Sequence, residues 1–375
     1  MRGPLVLLLL LPAVALSGRD ERGPAAARHG GAGTEPEPWR PGPARRSDAR
    51  DPTARLAQEL ECRRCHAEAA HEWSGSQHAG SWSDAAFQRA FQVEPSAFCQ
   101  RCHAPEEDPR ATPGEVSDAA ASLGIGCVTC HVEPGTARVW ASPRTDAAAA
   151  DARAPHPIAR SPAFAEPSAC AGCHEFAFPD AALRARPLAM QSTISEHRRS
   201  QTPELGCTDC HMPAGDHGHR SHAFAGAYDR AMLRRAVDVA ATRPRPAQVA
   251  IRLSPGRVGH AVPTGDLLRR LAVELRVEDA SGATAFVDHR YLGRRFVPRS
   301  QPSGITLREE VADDRVGVGP GDGTREARFA LPEALADRPV RWRVLHQRVA
   351  HGSLDPRGAV VEGQLEIAAG TLPPP

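Results

Sequence analysis

The pattern of apolar and polar positions changes character along the chain, and each change predicts a different kind of element. The first apolar run is Leu5–Leu11, behind Arg2 and ahead of Ala13-Val14-Ala15-Leu16-Ser17. A charged start, a short apolar stretch and small residues at the end predict a secretory signal peptide over residues 1–17, cut before Gly18. An uncleaved anchor is the alternative, but a span needs about 20 apolar residues and this run breaks at Pro12. No cysteine sits at the cut, which argues against a lipoprotein. Residues 18–55 hold Pro, Gly, Ala and Arg without any hydrophobic period, and predict a solvated linker.

Helical spacing follows. Ala67–Ala79 carries Trp73, and Asp84–Gln92 sets Phe87 and Phe91 four apart on one face. Residues 132–169 are rich in Ala and Pro and predict a long connection. Ala227–Ala241 spaces Met232, Leu233, Ala236, Val237 and Ala240 as an amphipathic helix, ended by Thr242-Arg-Pro-Arg-Pro246. Beyond that point the period falls to two. Val249–Leu253, Leu271–Val277, Ala327–Leu331 and Val340–Leu345 alternate, with turns at Asp279–Gly282 and Gly317–Gly323. Repeated short strands of this kind predict an antiparallel β-sandwich over residues 245–370. The fold class expected is a mainly α and irregular domain over 56–244, followed by that all-β domain.

Composition sharpens this picture. The net charge is +1, so no global field favours nucleic acid or an anionic membrane. The sequence contains no lysine, so all 46 basic residues are arginine, which excludes a Schiff base, a P-loop lysine and a lysine-ligated haem. Aromatic residues are only 5%, and Tyr228 and Tyr291 are the two tyrosines. Part of the chain must therefore be held together by something other than a large aromatic core.

All ten cysteines fall between residues 62 and 211, in five pairs of one form. They are Cys62-x-x-Cys65-His66, Cys99-x-x-Cys102-His103, Cys127-x-x-Cys130-His131, Cys170-x-x-Cys173-His174 and Cys207-x-x-Cys210-His211. C-x-x-C-H is the signature of covalent haem c attachment. Two thiols a turn apart reach the two vinyl groups on one porphyrin edge, and the next residue turns its imidazole onto the iron. A disulfide framework suits an exported chain, but leaves a histidine after every second cysteine unexplained. Zinc sites pair such motifs or add two histidines, and five pairs leave one unmatched. A thioredoxin-like site needs one such pair in a βαβ context, which is absent. The 150 residues from 62 to 211 hold five motifs, 30 residues for each haem. The haems must therefore pack together as the core of their own domain.

Five irons need further axial ligands, and twelve histidines lie outside the motifs. His78 is the foremost candidate, one helix beyond the first motif. His156 is stiffened between Pro155 and Pro157, and His197 precedes the fifth motif among Glu196, Arg198 and Arg199. His222 is chosen from the cluster His217, His219 and His222 because Phe224 follows it. His260 lies in a Gly/Pro-stiffened loop, Gly259–Gly265. His71 is a weaker candidate, and His289, His346 and His351 read as ordinary residues of strands. Met190 and Met232 are less favoured alternatives, so mostly bis-histidine haems are expected, at potentials below those of His/Met cytochromes.

Cys62-x-x-Cys65-His66 with Trp73-Ser-Gly-Ser-Gln-His78-Ala resembles the multihaem cytochrome c superfamily that includes hydroxylamine oxidoreductase and the tetrahaem electron acceptor of ammonia oxidisers. So does the run from Met190-Gln191-Ser-Thr193 through Glu196-His197 and Cys207–Pro213 to Ser221–Phe224. Gly259-His260-x-x-Pro263-Thr264-Gly265 is similar to a segment of relatives with a C-terminal β-domain. The resemblance implies bis-histidine ligation, close haem stacking and periplasmic electron transfer. It departs from the superfamily's catalysts, since five motifs replace eight, neither tyrosine lies beside a motif, and lysine is absent.

The function expected is electron transfer through five covalent haems c, between periplasmic or membrane-bound redox proteins, with no catalytic residue of its own. The alternative is reduction or oxidation of small nitrogen or sulfur compounds at one five-coordinate haem, with Arg198 or Arg220 holding an anion. A structural subunit docking through its β-domain is a third reading.

Overall fold

The helices of the cysteine-rich region are short because their hydrophobic stripes are short. In this computed structural model the described residues are 39–43, 49–144, 151–179, 187–216, 219–300, 306–319, 321–350 and 356–375. The expected signal peptide, most of the expected linker, and His29, His217 and His351 lie outside them. Helices α1 (Pro52–Cys65), α2 (Ala67–Ser74), α3 (Ala85–Val93), α4 (Ala97–His103), α5 (Asp118–Leu123) and α6 (Cys127–His131) come first. A parallel pair, β1 (Val139–Ala141) and β2 (Ile158–Arg160), follows. Next are α7 (Ser168–His174), the antiparallel pair β3 (Glu175–Ala177) and β4 (Ala189–Ser192), α8 (Thr193–Arg198) and α9 (Cys207–His211). Residues 132–169, expected to be a plain connection, thus carry a small parallel pair.

Capping side chains start these helices in place of long apolar faces. Asp51 accepts from Thr53 N and Ala54 N at α1, and Ser96 from Phe98 N at α4. At α9 the Asp209 carboxylate accepts from Gly206 N at 2.8 Å. The aliphatic core here is small: Leu123, Val128 and Val132, with Leu56, Cys62 and Val139 packed around them.

Two buried carboxylates bind this region instead. Glu59 accepts from Val128 N at 3.0 Å and pairs with Arg63 at 3.1 Å, tying α1 to α6. Glu106 pairs with Arg55 at 2.6 Å and Arg50 at 2.9 Å, and accepts from the Thr129 hydroxyl at 2.9 Å. Arg55 also donates to Val128 O.

The amphipathic helix expected over 227–241 is shorter. Helix α10 covers Arg230–Ala236, and the chain then extends directly into β5 (Val237–Arg245). Its β-branched residues Val237 and Val239 alternate inward as well as they would stack on a helix, and pairing with β6 (Gln248–Pro255) decides the outcome. The β region therefore begins before residue 245.

Strands β5, β6 and β10 (Arg325–Ala330) form one antiparallel sheet. A second, five-stranded antiparallel sheet has the order β12 (Val361–Leu372), β11 (Val340–Val349), β7 (Arg269–Glu278), β8 (Thr284–Ser300) and β9 (Thr306–Asp313). One hydrophobic core joins the two sheets. Ile251 and Leu253 of β6 meet Leu271, Val273, Leu275 and Val277 of β7, all fully buried. On the opposite face of β7, Glu274 pairs with Arg343 at 2.8 Å and His289 at 3.1 Å.

The sheets are fastened to the helical region by polar contacts. Arg89 of α3 reaches Glu362, Arg348 reaches Asp84 at 3.4 Å, and Arg294 donates to Ala189 O at 2.9 Å. Among the described residues, no helix is long and apolar enough to cross a membrane.

Burial alone would raise the Glu106 carboxyl, but the Arg55 hydrogen bond, the charges of Arg50 and Arg55 and the Thr129 hydroxyl together hold it below its ordinary 4.5. That contribution is complete above pH 4.5 and is lost as the pH falls through the lowered value. Glu106→Gln, which leaves two guanidinium groups around a neutral amide, is expected to cost about 3–5 kcal/mol at pH 7. The gap to wild type, measured by urea denaturation of the haem-loaded protein, is expected to narrow below pH 4.5.

Candidate haem-binding cavity

All five cysteine motifs sit at helix C-terminal ends. Cys62 and Cys65 close α1, and α4, α6, α7 and α9 end at His103, His131, His174 and His211. Residues i and i+3 share a helix face, so each pair of thiols points the same way and the following histidine leaves the last turn beside them. The five ends converge on one continuous cavity of about 3150 Å³. Divided among five motifs it gives about 630 Å³ each, within the 300–1,000 Å³ range of a single-ligand pocket.

The imidazoles meet in pairs inside it. His66 faces His156 with ring centroids 6.5 Å apart, His131 faces His222 at 6.3 Å, His174 faces His78 at 6.3 Å, and His211 faces His260 at 6.1 Å. Two imidazoles bound on opposite sides of one metal, each nitrogen at about 2 Å, would place their centroids roughly 6 Å apart. These separations are too long for ring stacking in contact and fit one atom held between them.

Hydrogen bonding fixes which nitrogen is free. Nδ1 lies against a carbonyl in His103 (Ser81 O, 2.8 Å), His131 (Trp140 O, 2.8 Å), His211 (Ala225 O, 2.6 Å), His222 (Arg220 O, 2.7 Å) and His260 (Ala261 O, 2.9 Å). His174 Nδ1 meets Gln191 Oε1 at 3.0 Å. With Nδ1 donating, the Nε2 lone pair is left for a metal, and the ring cannot rotate away. His78 and His156 each bury Nδ1 without a hydrogen-bond partner. Burial first, then the charges of His174 and His211, push the His78 imidazole down to about 3, so it stays neutral and able to ligate.

Each ring that faces a motif imidazole has its own support. For His78 the backbone is clamped: Ile125 N donates to His78 O at 2.9 Å, and Trp73 Nε1 donates to Ile125 O at 2.7 Å. Gly124 makes that approach possible. Its φ is +53°, and a Cβ there would lie 2.6 Å from His78 O. Phe224, with an unusual φ of +47°, wedges its ring 4.4 Å from His78 and 6.0 Å from His222. Glu72 accepts from His222 N at 2.8 Å and meets His219 Nε2 at 2.9 Å. His156 precedes β2 and is held where Val139 N donates to Pro157 O.

Two histidines depart from this pattern. The His103 ring lies flat on Phe87, 3.7 Å between centroids and 6° between planes, and among the described residues no histidine faces it. The His197 ring packs against Gly259, where a Cβ would come within 3.0 Å of it, and faces no motif histidine among the described residues. His197 nonetheless lines the same cavity.

Other side chains take roles the sequence did not signal. His346 lines the cavity from β11, and burial with Arg269 lowers it to about 4. Its alternation with core residues hides it in the sequence. Gln191, which holds His174, lay within a quoted run but carried no residue-type signal. Arg220 is engaged by Asp209, Thr208 O and Met212 O, and Arg198 is exposed at the end of α8. Met190, Met212 and Met232 all line the cavity.

The motif ends also touch one another. Cys102 lies beside Cys173, and Cys207 beside Cys170. The fourth motif therefore abuts both the second and the fifth.

Comparison with known proteins agrees with this geometry. Residues 61–132 match a family model described as cytochrome c554 and c-prime. The crystal structure of a penta-heme cytochrome c552 from Thermochromatium tepidum matches with a TM-score of 0.63 at 21% identity, over 85% of this chain and 98% of that one. At that coverage the shared fold takes in both the motif region and strands of the β region. A beta-glucuronidase from glycoside hydrolase family 2 matches at a TM-score of 0.17 and 10% identity, over 37% of this chain and 11% of that one, and carries no argument. No curated protein matches the chain. Five C-x-x-C-H motifs opening on one cavity, together with the cytochrome family match, make covalent haem c with its iron the cofactor of this chain.

Proposed function

We propose that this chain is an electron-transfer cytochrome of the multihaem superfamily that includes hydroxylamine oxidoreductase, working in the periplasm after export. The observation that carries the reading is the set of four imidazole pairs at 6.1–6.5 Å in one cavity. Each bound haem supplies one-electron iron chemistry, and the protein's residues hold the irons at fixed spacing and potential.

The ligand sets follow from the pairs. His66 with His156 serves the first motif, His131 with His222 the third, His174 with His78 the fourth, and His211 with His260 the fifth. The cysteines of each motif hold the corresponding porphyrin: Cys62 and Cys65, Cys99 and Cys102, Cys127 and Cys130, Cys170 and Cys173, Cys207 and Cys210. Two imidazoles keep the potentials below those of His/Met sites. The path does not follow chain order. The fourth motif abuts the second and fifth through its thiols, and α1 packs on α6, so the first and third are neighbours. Electrons are exchanged with a periplasmic or membrane-bound redox partner. The two antiparallel sheets form a sandwich that covers the haem cluster.

One observation favours a second reading. His103 has Phe87 against its ring and no histidine opposite among the described residues. A five-coordinate haem there would admit a small nitrogen or sulfur compound, and the protein would be a reductase or oxidase at that site.

Spectroscopy separates the two. Replacing His78 by Ala is expected to convert one low-spin haem of the five to high spin, read by electron paramagnetic resonance; an unchanged spectrum removes His78 from the ligands. The unmodified protein is expected to hold one high-spin haem that binds carbon monoxide or cyanide. Turnover of nitrite or hydroxylamine at that haem would favour the enzyme, and ligand binding without turnover would favour the carrier.

A further inference from the structure

The loop between β6 and β7 leaves the β region, enters the haem cavity and returns. His260 stands on it, its ring 13° from parallel with that of His211 and 6.1 Å away. A side chain entering a cavity from a loop needs that loop fixed, and the fixing group comes from the other region of the chain. It is Glu196 of α8, buried to 9% exposure.

Every oxygen of this carboxylate is committed. Oε2 accepts from Ala261 N at 3.2 Å and from the Thr264 hydroxyl at 2.9 Å. Oε1 accepts from the Ser192 hydroxyl at 2.7 Å and from Arg315 Nη1 at 2.8 Å. Arg315 is itself held by Asp313 at 2.9 and 2.7 Å, and donates to Pro263 O at 3.2 Å. Val262 and Val316 exchange both backbone hydrogen bonds, at 2.9 and 3.0 Å. The four residues after His260 are thus gripped from both sides, by α8 and by the segment after β9. Burial would raise the Glu196 carboxyl, but Arg315, Ser192 and Thr264 outweigh it and keep the group an anion.

We propose that Glu196 is the positioning residue for His260: together with Arg315 it locks the loop 261–264 so that the imidazole stands opposite His211. The proposal rests on the reading of His260 as ligand to the fifth haem. Glu196 is not among the residues lining the cavity and acts only through the loop. Ser192 fixes the Glu196 rotamer from its own chain segment. His197, next along α8, packs on Gly259 and closes the loop's other end. A buried ion pair by itself is weak evidence for stability, so a merely structural role must be tested against a signature confined to one iron.

The experiment uses the full-length protein loaded with haem, checked for five haems per chain and for unchanged far-ultraviolet circular dichroism. His260→Gly is expected to convert one of the four low-spin signals to high spin, and added imidazole to restore it. Glu196→Ala is expected to shift or broaden that same signal, leave the other four unchanged, and respond to imidazole in the same way. Glu196→Gln keeps an acceptor for the loop and loses the charge facing Arg315, so a smaller shift of that one signal is expected. If His260→Gly leaves all signals intact, the ligand reading falls. If His260→Gly loses its signal but Glu196→Ala keeps all five unshifted, the positioning role falls and the ligand stands. Should Glu196→Ala fail to accumulate with haem, Thr264→Val removes one hydrogen bond of the same lock. A shift in the reduction potential of the same haem alone then supports the role, and no shift overturns it.

Discussion

Covalent attachment dictates the architecture of the cysteine-rich region. A porphyrin tethered by two thioethers needs its cysteines one helical turn apart and its imidazole immediately after, and this chain meets that need with short helix ends. Thirty residues per motif leave no room for long amphipathic faces. The aliphatic cluster is correspondingly reduced to Leu123, Val128, Val132 and their few neighbours. What the region lacks in apolar side chains, the haems supply as large apolar discs, and the polypeptide is left with the task of aiming ligands.

Buried charge does much of that aiming. Glu59 and Glu106 flank the helix of the third motif, and Glu196 grips the loop that carries His260. Their partners are Arg63, Arg55, Arg50 and Arg315, in a chain without lysine. A guanidinium presents several donors in one plane, so a single arginine bridges a carboxylate and a backbone carbonyl at once. Arg55 does this between Glu106 and Val128 O, and Arg315 between Glu196 and Pro263 O. Where an aliphatic core would hold elements by area, these contacts hold them by direction.

The chemistry was far more legible in the sequence than the packing. Five C-x-x-C-H motifs are local, so their spacing alone carries the signal. Distal histidines are not local, and only their settings could be read. His78, His156, His222 and His260 each stand opposite a motif imidazole; His156 and His260 were marked by flanking Pro and Gly, His78 by its place one helix beyond the first motif, and His222 by Phe224. His197 had an equally suggestive place before the fifth motif; its ring lies beside Gly259, 62 residues away in sequence, and among the described residues no motif imidazole stands opposite it. The misread helix over 227–241 has a similar cause. Val237 and Val239 suit a strand as well as a helix, and the partner that decides, β6, lies further along the chain. Phe87 read as half of an apolar helix face, with no hint that it covers His103.

The β region is more than an appendage if its first long loop supplies an axial ligand. A ligand borne on a separate sheet-anchored loop can be rigid without a helix of its own, since the Val262–Val316 bridge and Arg315 tie it to the second sheet. The same tie means that a disturbance of the sheets near Val316 reaches the His260 loop directly. The rings of His78, His156 and His222, all in the helical region, depend on backbone devices instead. The left-handed Gly124 lets the 124–126 segment close on His78, and the left-handed Phe224 sets its ring between His78 and His222. Two kinds of support, one polar and one conformational, therefore divide the cluster, and the division falls along the boundary between helices and sheets.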